Sequence, residues 1–156
     1  MPGDGDSWSD ADIIDIYTRR QAIEDGVLVQ LSGPGYQGDQ WIPAMVAEAG
    51  FRFPVAMPAT VFCRYVAPLE GDGEKLAPCQ DIQGRLWDVL WMLKAAIRRI
   101  QAPRAILHFS LRVLPNVPAN YAKPNPPRPK LVRLKAVCGS DDDGSPCLTI
   151  MLPEED

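Results

Sequence analysis

The chain has 156 residues, a formal net charge of −4, 46% apolar side chains and 23% charged ones. Its length and composition fit one ordinary soluble domain with a core of its own, and they exclude a polycation that coats nucleic acid wholesale. Proline (16) and glycine (12) exceed the average, so long uninterrupted elements should be few.

Residues 1–8 read as a flexible N-terminus and residues 9–156 as a single α+β domain. Ser9 and Asp12 resemble a capping box with Asp in place of Glu or Gln, and Asp10 and Asp12 suit the positive end of a helix dipole. Ile13, Ile14, Ile16, Tyr17, Ala22 and Ile23 then recur at helical spacing until Gly26 ends the run. Val27–Leu31 reads as a short buried strand, followed by the loop Ser32–Gly38. Pro43 and Pro58 stand where first helical turns begin, opening helices over Ala44–Ala49 and Ala59–Val66. Trp41, beside Pro43, reads as a helix-entry staple. Residues 67–79 read as a polar, flexible connection.

The strongest helix signal is Gln80–Ile100. Ile82, Leu86, Val89, Leu90, Leu93, Ala96, Ile97 and Ile100 form one stripe, with Asp81, Arg85, Asp88, Lys94, Arg98 and Arg99 around it. Trp87 and Trp91, four apart, belong at the stripe's margin. The remainder alternates as strands: Ala105–Leu114, Leu131–Cys138 and Cys147–Leu152. Residues 115–130 carry six prolines and read as an extended, unpacked connection. The expected fold is α+β: a short antiparallel sheet, made by a three-stranded C-terminal meander with Val27–Leu31 as an added N-terminal edge strand, and helices packed on one face.

The charge is sharply segregated. From Lys94 to Lys135 there are ten bases (Lys94, Arg98, Arg99, Arg104, Arg112, Lys123, Arg128, Lys130, Arg133, Lys135) and no acid. Acids crowd the ends, in Asp10 and Asp12, in Asp141-Asp142-Asp143 and in the closing Glu154-Glu155-Asp156. Strand parity puts His108, Ser110, Arg112, Arg133 and Lys135 on the non-core face beside Thr149. With Lys123, Arg128, Lys130 and Tyr121 of the loop, they form a candidate binding surface for phosphates or an acidic partner. Asp10, Asp12, Asp141, Asp142 and Asp143 form a candidate acidic docking surface. The plainer account of the basic face is a solvated sheet face balanced by the chain's own acids; the acidic ends could mimic nucleic-acid charge toward a basic partner, with a solubilising end as the plainer account. Parity places no aromatic on the basic face to stack bases, which weakens a nucleic-acid reading.

Other chemistry is sparse. Ser32–Gly38 is glycine-rich after a strand but lacks the Lys-Ser/Thr of a phosphate loop. His108 is the only imidazole. With Ser110 it is the one acid–base pair to nominate, but no orienting carboxylate is evident and an exposed polar strand residue is the commoner explanation. Lys123–Pro129 fits a basic proline-rich ligand pattern, with a rigid spacer as the plainer account. Cys63, Cys79, Cys138 and Cys147 read as free thiols, and their spacing matches no zinc site. No metal, cofactor or enzymatic activity is expected. No apolar run is long enough to span a bilayer and the N-terminus lacks a signal peptide, so a cytoplasmic protein is expected.

Tyr17–Val29, Ala49–Ala56, Gly84–Met92, Leu134–Gly139 and Thr149–Asp156 resemble a functionally uncharacterised family of small proteins from bacterial plasmids, phages and integrative elements. The resemblance carries no catalytic residue. It implies an accessory protein of a mobile element, in a bacterial host. The expectation is a non-enzymatic interaction or inhibitor protein, anti-CRISPR-like, docking electrostatically to a host or mobile-element protein complex. The alternative is a nucleic-acid or nucleotide-phosphate binder that uses the basic sheet face and loop. A homodimer is a further option.

Overall fold

The computed structural model describes residues 17–155. The expected flexible terminus, the Ser9–Asp12 cap, Asp10, Asp12 and Asp156 lie outside the described residues. Four helices are described: α1 (Arg19–Glu24), α2 (Trp41–Glu48), α3 (Ala59–Tyr65) and α4 (Ile82–Arg99). They alternate with β1 (Leu28–Gln30), β2 (Val55–Pro58), β3 (Glu74–Lys75), β4 (Ile106–Val113), β5 (Val117–Pro118), β6 (Lys130–Ser140) and β7 (Pro146–Met151).

Five strands make one mixed sheet in the order β1-β2-β7-β6-β4, and β3 pairs with β5 in a separate two-stranded ladder. β4–β6, β6–β7 and β1–β2 are antiparallel, whereas β2 and β7 run parallel. The expected purely antiparallel sheet is corrected here. Val55–Pro58 is too short to declare a period of its own, and the proline pair around it reads as helix and loop punctuation. Its partners make it a strand: β1, antiparallel, on one side and β7, from the far end of the chain and parallel, on the other.

Alternation along the strands sorts the two faces. Phe109, Leu111, Leu134, Ala136 and Ile150 are buried on one face, together with Val55 and Met57. α4 lies over them with Leu86, Val89, Leu90 and Leu93, all at 0% exposure, each such burial contributing about 1.5–3 kcal/mol. Val46 of α2 and Val61 of α3 close the same core. The N-terminus of α4 is capped by Asp81, whose carboxylate accepts the Gly84 N–H at 2.6 Å. Trp87 and Trp91 stack with ring centroids 5.7 Å apart.

Of the helix expected to run from Ser9 through Ile23, the part before Tyr17 lies outside the described residues, and the described helix α1 starts only after Thr18, which is extended (φ −73°, ψ 156°) and caps it. The Thr18 hydroxyl accepts the Gln21 N–H and the Gln21 side chain accepts the Thr18 N–H, closing a capping box. α1 lies on the sheet face opposite the core. Its Arg19 Nη1 donates to Thr149 Oγ1 at 2.6 Å and Nη2 donates to the Leu148 carbonyl at 3.0 Å. Helices therefore occupy both faces, a correction to the one-sided packing expected. The reason is that α1 is too short to show an apolar stripe, and it docks through polar contacts.

Two segments read as unpacked are partly built into the fold. Ala77, in the expected flexible connection, is 2% exposed, and Val117, in the proline-rich segment, is 3% exposed. The β3–β5 ladder joins these two segments, with Glu74 opposite Pro118 and Lys75 opposite Val117. Just before α4 the chain makes a tight turn through Cys79, whose φ of +65° is a left-handed conformation uncommon outside glycine. In Ser32–Gly38, Gly33 has a φ of +112°, and a Cβ there would meet the Pro54 ring at 2.7 Å. Close approach of backbone to Pro54 explains that glycine.

Candidate basic interface

The β4–β6 register sets His108 opposite Lys135, Ser110 opposite Arg133 and Arg112 opposite Leu131. All six side chains fall on the face away from the core, because Phe109, Leu111, Leu134 and Ala136 take the alternate positions inward. His108, Ser110, Arg112 and Arg133 are exposed, whereas Lys135 is only 9% exposed. Lys135 stands opposite Met151, itself 7% exposed, so it marks the boundary between the open and the covered halves of this face. On the covered half, α1 reaches across β7 through Arg19, and Cys147 and Ala56 are buried.

Apolar side chains are mixed among these cations. Leu131 is 66% exposed and Ile106 49% exposed, at opposite ends of the β4–β6 ladder. Neither belongs to the candidate surface that the sequence suggests. The alternation of the strand already places both on the outer face, and that was the available signal. No outer position of β4 or β6 holds Phe, Tyr or Trp.

The loop residues are not all brought to this face. Lys130 opens β6 opposite Val113 and shares the parity of the inward residues. With Arg64, Asp72, Glu74, Arg133 and Glu154 it lines a groove of about 780 Å³ beyond the end of β7, where the two signs of charge are mixed. The backbone carbonyl of Tyr121 accepts from Lys75 Nζ at 2.8 Å, and its hydroxyl donates to the Asn125 carbonyl at 2.7 Å. That ring holds the proline-rich segment in shape. Lys123 and Arg128 are exposed on the same segment.

The acidic triplet has structural work. Asp142 accepts the backbone N–H groups of Arg19 and Arg20, at 2.9 Å to Oδ1 and 3.1 Å to Oδ2, and so covers the open end of α1 from across the fold. Asp141 Oδ1 accepts the Asp142 N–H, and Asp143 Oδ1 accepts the Ser145 N–H, a bond that holds the Asp143 carboxyl below its ordinary pKa.

A second charged feature escaped sequence reasoning. Arg85, grouped with the solvated side of its helix, is 3% exposed. Its Nη1 donates to Asn116 Oδ1 at 2.6 Å, and Nη2 donates to the carbonyls of Arg64 at 3.2 Å and Leu114 at 3.3 Å. Nε has no partner among the described residues, and burial lowers the guanidinium pKa. The guanidinium ties α4 to the end of α3 and to the chain leaving β4.

The four cysteines are free. Cys138 lies opposite Leu148 and Cys147 opposite Gly139, so the two thiols are one register step apart and on opposite faces of the sheet. Burial raises the pKa of Cys147 and of Cys63. Among the described residues no group of three or more His, Cys, Asp or Glu side chains is placed to hold a metal ion, and no helix is long and apolar enough to cross a membrane.

The profile of a family of unknown function, DUF6573, matches residues 6–156. No curated protein and no solved structure matches the chain.

Proposed function

We propose, from the premise that the chain belongs to the DUF6573 family of unknown function, that it is a non-enzymatic binding protein whose β4–β6 face docks on an acidic protein surface. The observation that carries this reading is the mixture on that face: Arg112 and Arg133 exposed beside Leu131, which is 66% exposed. Protein interfaces combine an apolar anchor with a charged rim, whereas single-stranded nucleic acids call for aromatic platforms. Charge complementarity would set association rate and selectivity, and salt would weaken both.

The sequence resemblance supplies the setting proposed for this activity. In a mobile element's accessory protein, the partner is a host or mobile-element complex in the bacterial cytoplasm, and binding inhibits a host defence.

The test is capture of partners from a bacterial host lysate by the wild-type chain and by an Arg112→Glu/Arg133→Glu variant. Lys135 is spared because a glutamate at a nearly buried position would confound folding with binding. The wild type should hold a partner stoichiometrically at low ionic strength and release it with salt, and the variant, with an unchanged melting temperature, should hold none. Equal capture by both proteins refutes the assignment. A gel shift of RNA or DNA that the same two substitutions abolish replaces it with the nucleic-acid reading.

A further inference from the structure

β4 ends the five-stranded sheet, so among the described residues one of its edges has no neighbouring strand. The register decides which backbone groups that edge presents. The Cys138 N–H donates to the Ala105 carbonyl at 2.8 Å, one step before Ile106 faces Val137. Bonded and non-bonded pairs alternate along an antiparallel ladder, so Leu107, Phe109, Leu111 and Val113 direct their N–H and C=O groups to β6. Ile106, His108, Ser110 and Arg112 therefore direct theirs outward. Four successive donor–acceptor sites line one edge, and the same four residues carry the outer-face side chains.

Beside this edge runs a groove of about 740 Å³, floored by Met92, Ala96 and Ile100 of the α4 end and bordered by Arg99, Arg104 and His108. None of its lining residues is an acid. Met92 remains 36% exposed and gives the groove an apolar ledge. An edge with free backbone groups, an apolar ledge beneath it and cations along it has the makings of a strand-addition site.

We infer that β4 receives an added strand, an extended acidic segment of the partner protein in which carboxylates alternate with apolar side chains. The segment extends the backbone ladder through Ile106, His108, Ser110 and Arg112. Its carboxylates lie on the outer face beside His108 and Arg112, and its apolar residues lie over Met92 and Ala96. A second copy of the chain fits poorly, since its β4 would bring another His108 and Arg112 to the seam and no carboxylate. This inference rests on the docking reading above and adds the mode of docking.

The experiment uses the full chain and three eight-residue peptides: one alternating Glu and Val, one alternating Lys and Val, and a Glu–Val peptide N-methylated on the residues that would bond to β4. Amide exchange and backbone chemical shifts are followed by NMR. The Glu–Val peptide is expected to bind, to protect the His108, Ser110 and Arg112 amides, and to lose about tenfold or more in affinity on N-methylation. The Lys–Val peptide should not bind. Ser110→Pro removes one outward N–H and leaves the β6 ladder intact, as prolines on edge strands do, and should weaken binding similarly. The amide protection is read on the wild type, so the test stands even if the proline variant unfolds. Binding that survives N-methylation and Ser110→Pro but is lost in Arg112→Glu/Arg133→Glu overturns strand addition and leaves face docking intact. Absence of acidic-peptide binding, with partner capture from lysate retained, also overturns the inference alone. A concentration-dependent dimer abolished by Ser110→Pro overturns it in favour of the second copy.

Discussion

Arg85 Nη1 donates to Asn116 Oδ1 at 2.6 Å, joining the helix that covers the core to the segment leaving β4. Asn116 Nδ2 in turn donates to the Cys63 carbonyl at 3.1 Å, so the amide is held from both sides. The pair fixes where β4 stops and therefore how Arg112, one residue before its last, is presented. A buried cation here has carbonyl and amide oxygens for partners.

Arg85→Met should cost about 1–3 kcal/mol, because three part-buried oxygens lose a donor and an unpaired buried acceptor costs about that much. Asn116→Ala alone should cost about 1–3 kcal/mol, since it leaves part of the guanidinium unpaired. Urea denaturation of the two single variants and the double variant gives the coupling. If the two losses simply add, the pair is not the unit described.

Asp142 reaches α1 across a separation of more than 120 residues in sequence. Asp142→Ala removes the acceptor from two helix N–H groups and should cost about 1 kcal/mol. Amide exchange at Arg19 and Arg20 should accelerate selectively, with β4 and β6 unaffected. Uniform acceleration across the sheet would mean that the loop, and not the cap, had been damaged.

Partial desolvation raises the pKa of the Asp88 carboxyl, on an otherwise exposed side chain, above its ordinary value. The folded chain thus holds that proton more tightly than the unfolded chain, so the contribution of the neutral form is complete below the ordinary carboxylate pKa. It is lost as pH rises through the folded value. Asp88→Asn should therefore raise the melting temperature at about pH 7 and leave it unchanged at about pH 3. A melting temperature shifted equally at both pH values would assign the effect to something other than ionisation.

The parts of the fold legible from residues alone are those with a local period. The stripe Leu86, Val89, Leu90, Leu93 repeats at helical spacing, and α4 follows it within two residues at its N-terminal end. Strict alternation from Leu107 to Val113 and from Val132 to Ala136 marked which side chains face away from the core, and Arg112 and Arg133 lie there. What had no local signal was lost. Val55–Pro58 has four residues and a partner more than 90 residues away. Arg85 stands between apolar stripe residues, and its burial depends on where α3 and the segment after β4 happen to meet.

The sequence by itself determined the α+β class, the long amphipathic helix, the outward-facing cations of β4 and β6 and a 42-residue stretch without acid. Those properties are set by periodicity and composition, which neighbouring residues carry. Tertiary structure decided the mixed sheet, the use of Asp142 as a helix cap, the burial of Arg85 and the division of the outer face at Lys135. Each depends on distant segments meeting, and the distances and directions at which they meet are written in no single stretch of the chain.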